Sequence, residues 1–173
     1  MMSITITPEI DTADICERLV GITPVYLQNF LQRGSYGLRS SVSPGKVRSQ
    51  RRLFSPEDVY AIALVWELFE SGLRGDPIAR ILNDIAGTKK ADANKAAAKL
   101  QEIEAAYILI VRTARRPSKS ISKMPIQEVK PMNDEEFSRL LQRRWGSKSG
   151  QVIAIGEKFA DVRKRLKLLF DVR

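Results

Sequence analysis

Val25, Gln28, Asn29 and Gln32 recur at spacings that put them on one side of a helix turning 100° per residue, with Leu27, Phe30 and Leu31 on the other side. Asn and Gln can pair bidentately with the edge of adenine in a major groove, and an aliphatic residue such as Val25 can lie against a thymine methyl. Thr23 and Tyr26 border the same face. Alone, this pattern also describes an ordinary solvated helix face. The next segment shifts the balance. From Arg33 to Arg52 come Arg33, Arg39, Lys46, Arg48, Arg51 and Arg52, with no acid among them and with glycines and serines between. Such a run offers charge rather than base-specific pairing, which suits phosphates. Six phosphate contacts, at a slope of about 0.9 each, would make affinity fall steeply with salt.

The elements that must hold these residues can be read from caps and periodicity. Asp11 and Thr12 precede Ala13, Cys16, Leu19 and Val20, which recur at helical spacing, and Gly21 closes a short first helix. Thr23-Pro24 then opens a second helix, with a hydroxyl at the N-cap and proline at the first helical position, where its missing N–H costs nothing. In the basic segment, Tyr36, Leu38, Val42 and Val47 supply a few apolar positions and Ser43-Pro44-Gly45 a turn, so a two-stranded hairpin is expected.

Ser55-Pro56-Glu57-Asp58 opens a third helix running to about Ser71, its first-turn carboxylates suited to the positive end of the helix dipole. Val59, Ile62, Ala63, Trp66 and Phe69 form one apolar stripe on it, and Ala61, Leu64 and Leu68 a second, nearly opposite. Two stripes predict two neighbours. Asp76-Pro77 starts a fourth helix with Ile78, Ile81, Leu82 and Ile85, and Gly87 ends it.

The stretch from about Thr12 to Ala86 resembles the DNA-binding domain of the MerR family of winged-helix regulators. The most specific residues are Arg51-Arg52-Leu53-Phe54-Ser55-Pro56-Glu57-Asp58-Val59, similar to the family's passage from wing to helix, and Gly72-Leu73 followed by Ile78 and Ile81. The resemblance implies DNA binding through the second helix and the wing. It departs at Gln28-Asn29-Phe30, where the family usually has Arg-Tyr-Tyr, so no operator sequence carries over. Nor does the chain continue into the family's single long dimerisation helix.

Beyond Gly87, residues 91–107 read as a helix with Ala93, Ala96, Leu100, Ile103 and Tyr107 at alternating spacings of three and four. Leu100, Ile103 and Tyr107 are the expected dimerisation seam, the alternative being that this face packs on the third helix. Residues 107–111 and 152–155 are β-branched apolar runs that read as buried strands. Between them come a basic loop from Arg112 to Pro131 and a helix capped by Asn133 that runs to about Trp145, compatible with a β-α-β crossover. Two strands do not make an independent sheet. A third strand, the first module or a second subunit is expected to complete it. Gly156 heads a last helix carrying Phe159, Val162, Leu166 and Leu169, and it reads as a structural turn rather than a phosphate loop, because no Gly-rich loop precedes it.

The fold class expected is α+β overall: an N-terminal winged helix-turn-helix at residues 11–87, a linking helix at 88–106, and a small α/β unit at 107–173. The net charge of +9 favours a polyanionic partner. One cysteine and no histidine leave no credible zinc, copper or iron site, no internal disulfide and no obvious general base, so neither a cofactor nor an enzyme is expected. No run reaches transmembrane length and no signal-peptide pattern heads the chain, which reads as cytoplasmic. The leading expectation is a homodimeric, sequence-specific regulator of transcription on double-stranded DNA. An architectural or recombination accessory factor and a protein-interaction adaptor using the basic wing are the alternatives.

Overall fold

The computed structural model describes residues 9–40, 52–113, 126–141 and 148–171. The fold is α+β. In chain order it comprises β1 (Ile10–Asp11), a π-wound helix (Asp14–Leu19), α1 (Pro24–Arg33), β2 (Leu53–Phe54), α2 (Pro56–Glu70), α3 (Asp76–Ala86), α4 (Ala93–Glu102), β3 (Tyr107–Thr113), β4 (Ile126–Met132), α5 (Asp134–Leu141), β5 (Lys148–Ala154) and α6 (Ile155–Asp171).

Helix α2 is the axis of the molecule. Its capping box is complete: the Asp58 N–H donates to Ser55 Oγ and the Ser55 N–H donates to Asp58 Oδ2. Ten of its fifteen residues are buried, on all sides. The two neighbours implied by its two stripes are present, α4 and α6, with α3 alongside. Both α4 and α6 lie beyond residue 87, and one cluster of buried apolar side chains extends from Ile10 through α2 to Leu169. The core of the first module therefore continues into the C-terminal half.

Two short strands join the start of the chain to the entry of α2. Ile10 pairs with Phe54 and Asp11 with Leu53, antiparallel. Of the residues expected to form a hairpin inside the basic segment, Tyr36 and Leu38 are buried and lie in no strand. Val42, Val47 and the Ser43-Pro44-Gly45 turn lie outside the described residues. The first helix carries its expected cap, Asp11 Oδ1 accepting from the Asp14 N–H at 2.8 Å, but winds as a π-helix.

The C-terminal sheet has the order β4-β3-β5, antiparallel throughout. A parallel β-α-β crossover is thus excluded, and the completing strand is β4, inside the segment read as a loop. Its alternation of Ile126, Val129 and Met132 with Gln127, Glu128 and Lys130 is weak and carries a proline, which an edge strand tolerates. Ile108, Ile110 and Ile153 face the main core, while Leu109, Val111 and Met132 face Phe137 and Leu140 of α5. Helix α5 is capped reciprocally by Asn133 and Glu136, and is described as far as Leu141. Gly156 is structural: its N–H donates to the Ala106 carbonyl at 2.9 Å, and a Cβ there would stand 2.8 Å from the Ala106 Cα. No helix among the described residues is long and apolar enough to cross a membrane.

Candidate nucleic-acid interface

Helix α1 is attached to the body by one face and open on the other. Leu27 and Phe30 are buried and Leu31 half-buried, and Phe30 packs against Tyr36, Phe69 and Trp66 at centroid distances of 5.4, 5.4 and 6.4 Å. Outside, Val25 is 67% exposed, and Gln28, Gln32 and Thr23 are exposed as well. Thr23 is the N-cap in position only, because its side chain makes no capping hydrogen bond. Tyr26 has two roles: its ring lies 5.0 Å from Phe69 and 5.5 Å from Trp66, yet it stays 40% exposed. Arg33 ends the helix, and Gly34 follows in the left-handed region at φ 59°. Residues 24–33 include no acid. The positive end of α1 is thus uncompensated by a first-turn carboxylate, unlike that of α2.

Two hollows flank α1, and each contains one amide and one arginine. On one side Gln28 and Arg52 line a hollow of about 270 Å³ with Thr12, Pro24, Leu27 and Leu31. On the other, Asn29 and Arg74 line one of about 210 Å³ with Tyr26, Phe30, Ser35, Tyr36, Phe69 and Gly75. Arg74 is fixed in place. Its guanidinium carbon lies 3.5 Å from the Phe69 ring centroid, and Nη1 donates to the carbonyls of Phe69 and of Leu73, the latter at 2.6 Å. Arg74 stands outside every motif and periodicity in the sequence. The available signal was a single guanidinium between two glycines, next to an aromatic helix end.

The basic excursion leaves and rejoins the body at one place. The Ser40 hydroxyl donates to the Leu53 carbonyl, so the segment between them is closed at its base, with Arg39 and Arg52 exposed at its two ends. Lys46, Arg48 and Arg51 lie outside the described residues. Arg39 is held: Nη2 sits 3.3 Å from Asp92 Oδ2, and its backbone N–H donates to Asn94 Oδ1 at 3.2 Å. Just before it, Gly37 has φ +63° and passes so close to Ala91 that a Cβ would stand 2.0 Å from the Ala91 carbonyl oxygen. Only glycine fits there.

The expected dimerisation seam is not one surface. Helix α4 ends at Glu102 rather than Tyr107, because Ile103 and Glu104 turn the chain, Glu104 at φ 50°, into β3. Leu100 is fully buried in the protomer's own core, and Tyr107 stacks on Phe137 at 4.2 Å. Of the three, Ile103 is exposed, at 45%. Cys16 is buried on the first helix, and burial raises its thiol pKa, which makes it a packing residue. A groove of about 630 Å³ lies away from α1, between α4, β3 and α6. Tyr107 on its wall has a hydroxyl pKa raised by burial and then by the Asp134 carboxylate.

Compared with known proteins, the chain matches no family model and no curated sequence.

Proposed function

We propose that this protein binds double-stranded DNA sequence-specifically as a transcriptional regulator, with the open face of α1 in the major groove and the basic excursion as a wing along the phosphates. The observation that carries this reading is the placing of α1 between Arg52 and Arg74, each beside one of its amides. A helix is about as wide as the major groove of B-DNA, roughly 12 Å, so groups on opposite flanks of a seated helix meet opposite phosphate walls. The amides read bases and the arginines hold the backbone. The Ser40–Leu53 hydrogen bond supports the wing assignment, since it holds the two ends of the basic segment together, with Arg39 and Arg52 beside them.

The MerR-like resemblance agrees with this reading in the order of its parts, and Gln28 and Asn29 give it its own specificity. The proposal includes a homodimer, because one short helix offers few base contacts and a two-fold arrangement doubles them. Leu100 cannot serve that contact, whereas Ile103 is accessible to it. Sedimentation of the full chain checks the oligomer.

The deciding experiment measures binding to selected and random duplexes across a salt series. Asn29→Ala is expected to reduce discrimination between them by about 1–3 kcal/mol, whereas Arg52→Gln weakens both alike and flattens the salt dependence. Equal losses on both duplexes for Asn29→Ala would sink the assignment.

A further inference from the structure

The base of the wing is stitched to the start of α4 by a continuous polar chain. Asp92 is the N-cap of α4: Oδ1 accepts the Lys95 N–H at 3.0 Å, while Oδ2 lies 3.3 Å from Arg39 Nη2. Asn94, the second residue of the same helix, accepts the Arg39 N–H and donates through Nδ2 to Asp58 Oδ1 at 2.6 Å. Asp58 is fully buried and caps α2. The Ala93 N–H donates to the Tyr36 carbonyl at 3.0 Å, and Gly37 is pressed against Ala91. One side chain in this chain faces two ways. The Arg39 side chain is 72% exposed and belongs to the basic segment, yet it is paired with a carboxylate of the linking helix.

We propose that Asp92 is an intramolecular competitor of DNA: it holds Arg39 in the free protein and must release it for Arg39 to reach a phosphate. This rests on the duplex-binding reading above. An exposed carboxylate–guanidinium pair is weak, a factor of about five at most, and a phosphate displaces it readily. Release leaves the Asp92 charge beside the wing without its partner. Part of the counterion release expected from an Arg39–phosphate contact is therefore cancelled. Because Asp92 also caps α4, which packs on α2 and α3, any movement of α4 alters how firmly Arg39 is held. DNA affinity and the C-terminal half are coupled at this residue.

The test is Asp92→Asn in the full chain. Asparagine is an equally good N-cap, so α4 is retained while the charge is lost, as an unchanged melting temperature would verify. The expected result is tighter binding to all duplexes at low salt, by up to about fivefold, and a salt slope steeper by up to about 0.9. The gain should disappear in an Arg39→Gln background, which separates release of Arg39 from general removal of negative charge. Unchanged or weaker binding by Asp92→Asn, or the same gain with and without Arg39, would overturn the competitor while leaving the duplex-binding reading intact. Failure of the unaltered protein to bind duplex DNA in a salt-dependent way removes that reading, and the competitor with it.

Discussion

Helices α1 and α2 begin with the same local grammar, Thr23-Pro24 and Ser55-Pro56, and end up in opposite circumstances. In α2 the cap hydroxyl is used, the first turn is acidic and ten residues are buried. In α1 the cap hydroxyl makes no capping hydrogen bond, the first turn has no acid and Val25, Gln28 and Gln32 are exposed. The difference separates a helix that holds the molecule together from one that is displayed by it. Stability comes from filled caps and burial on all sides. Display requires the reverse, a helix end and a face left for something else.

Removing residues 88–173 is the harshest way to break this contrast. It strips α4 and α6 from α2, so the remaining 1–87 fragment is expected to lose cooperative thermal unfolding by circular dichroism. A fragment that melts sharply would show that α2 does not depend on them. Less drastic is Leu64→Ala, within α2, which is expected to cost about 2–5 kcal/mol in denaturant unfolding, whereas Leu31→Ala on the half-buried flank of α1 costs clearly less. Gln32→Ala sharpens the comparison from the other side: stability stays within about 0.5 kcal/mol while discrimination between duplexes falls by about 1–3 kcal/mol. The caps give a smaller contrast. Ser55→Ala should destabilise by about 1 kcal/mol and Thr23→Ala by a few tenths, as read from the two melting curves.

The smallest effect is a matter of pH. Glu136 closes the cap of α5, and its carboxyl pKa is lowered first by the Asn133 N–H and then by Lys130. A lowered carboxyl pKa means that the contribution is present above the unfolded value and lost as pH falls through the folded one. Helix α5 should therefore loosen in acid, followed by amide chemical shifts, and Glu136→Gln should remove that dependence.

Much of this was legible in the residues themselves. The caps at Ser55 and Asn133, the two stripes of α2 and the exposure of Val25, Gln28 and Gln32 opposite Leu27 and Phe30 all come from local spacing, whereas Asp76 is the first residue of α3 after the N-cap Gly75, and Asn29 is half-buried. What was not legible depends on partners far along the chain. Ile10 pairs with Phe54, 44 positions on, and nothing within two residues of Ile10 announces a strand. Strand β4 was hidden because its apolar residues, Ile126, Val129 and Met132, fall three apart rather than two, and Pro131 reads as loop. The seam at Leu100 had helical spacing, but periodicity does not say whether an apolar face meets its own chain or another. Arg74 and Asp92 gained their roles through a ring and a guanidinium supplied by other elements.

The Ser40–Leu53 hydrogen bond is a clasp between two points of the chain thirteen positions apart. One uncharged hydroxyl thereby sets how far apart Arg39 and Arg52 stand, because each is the direct neighbour of a bonded residue. A Ser40→Ala protein would keep every charge and lose their common footing.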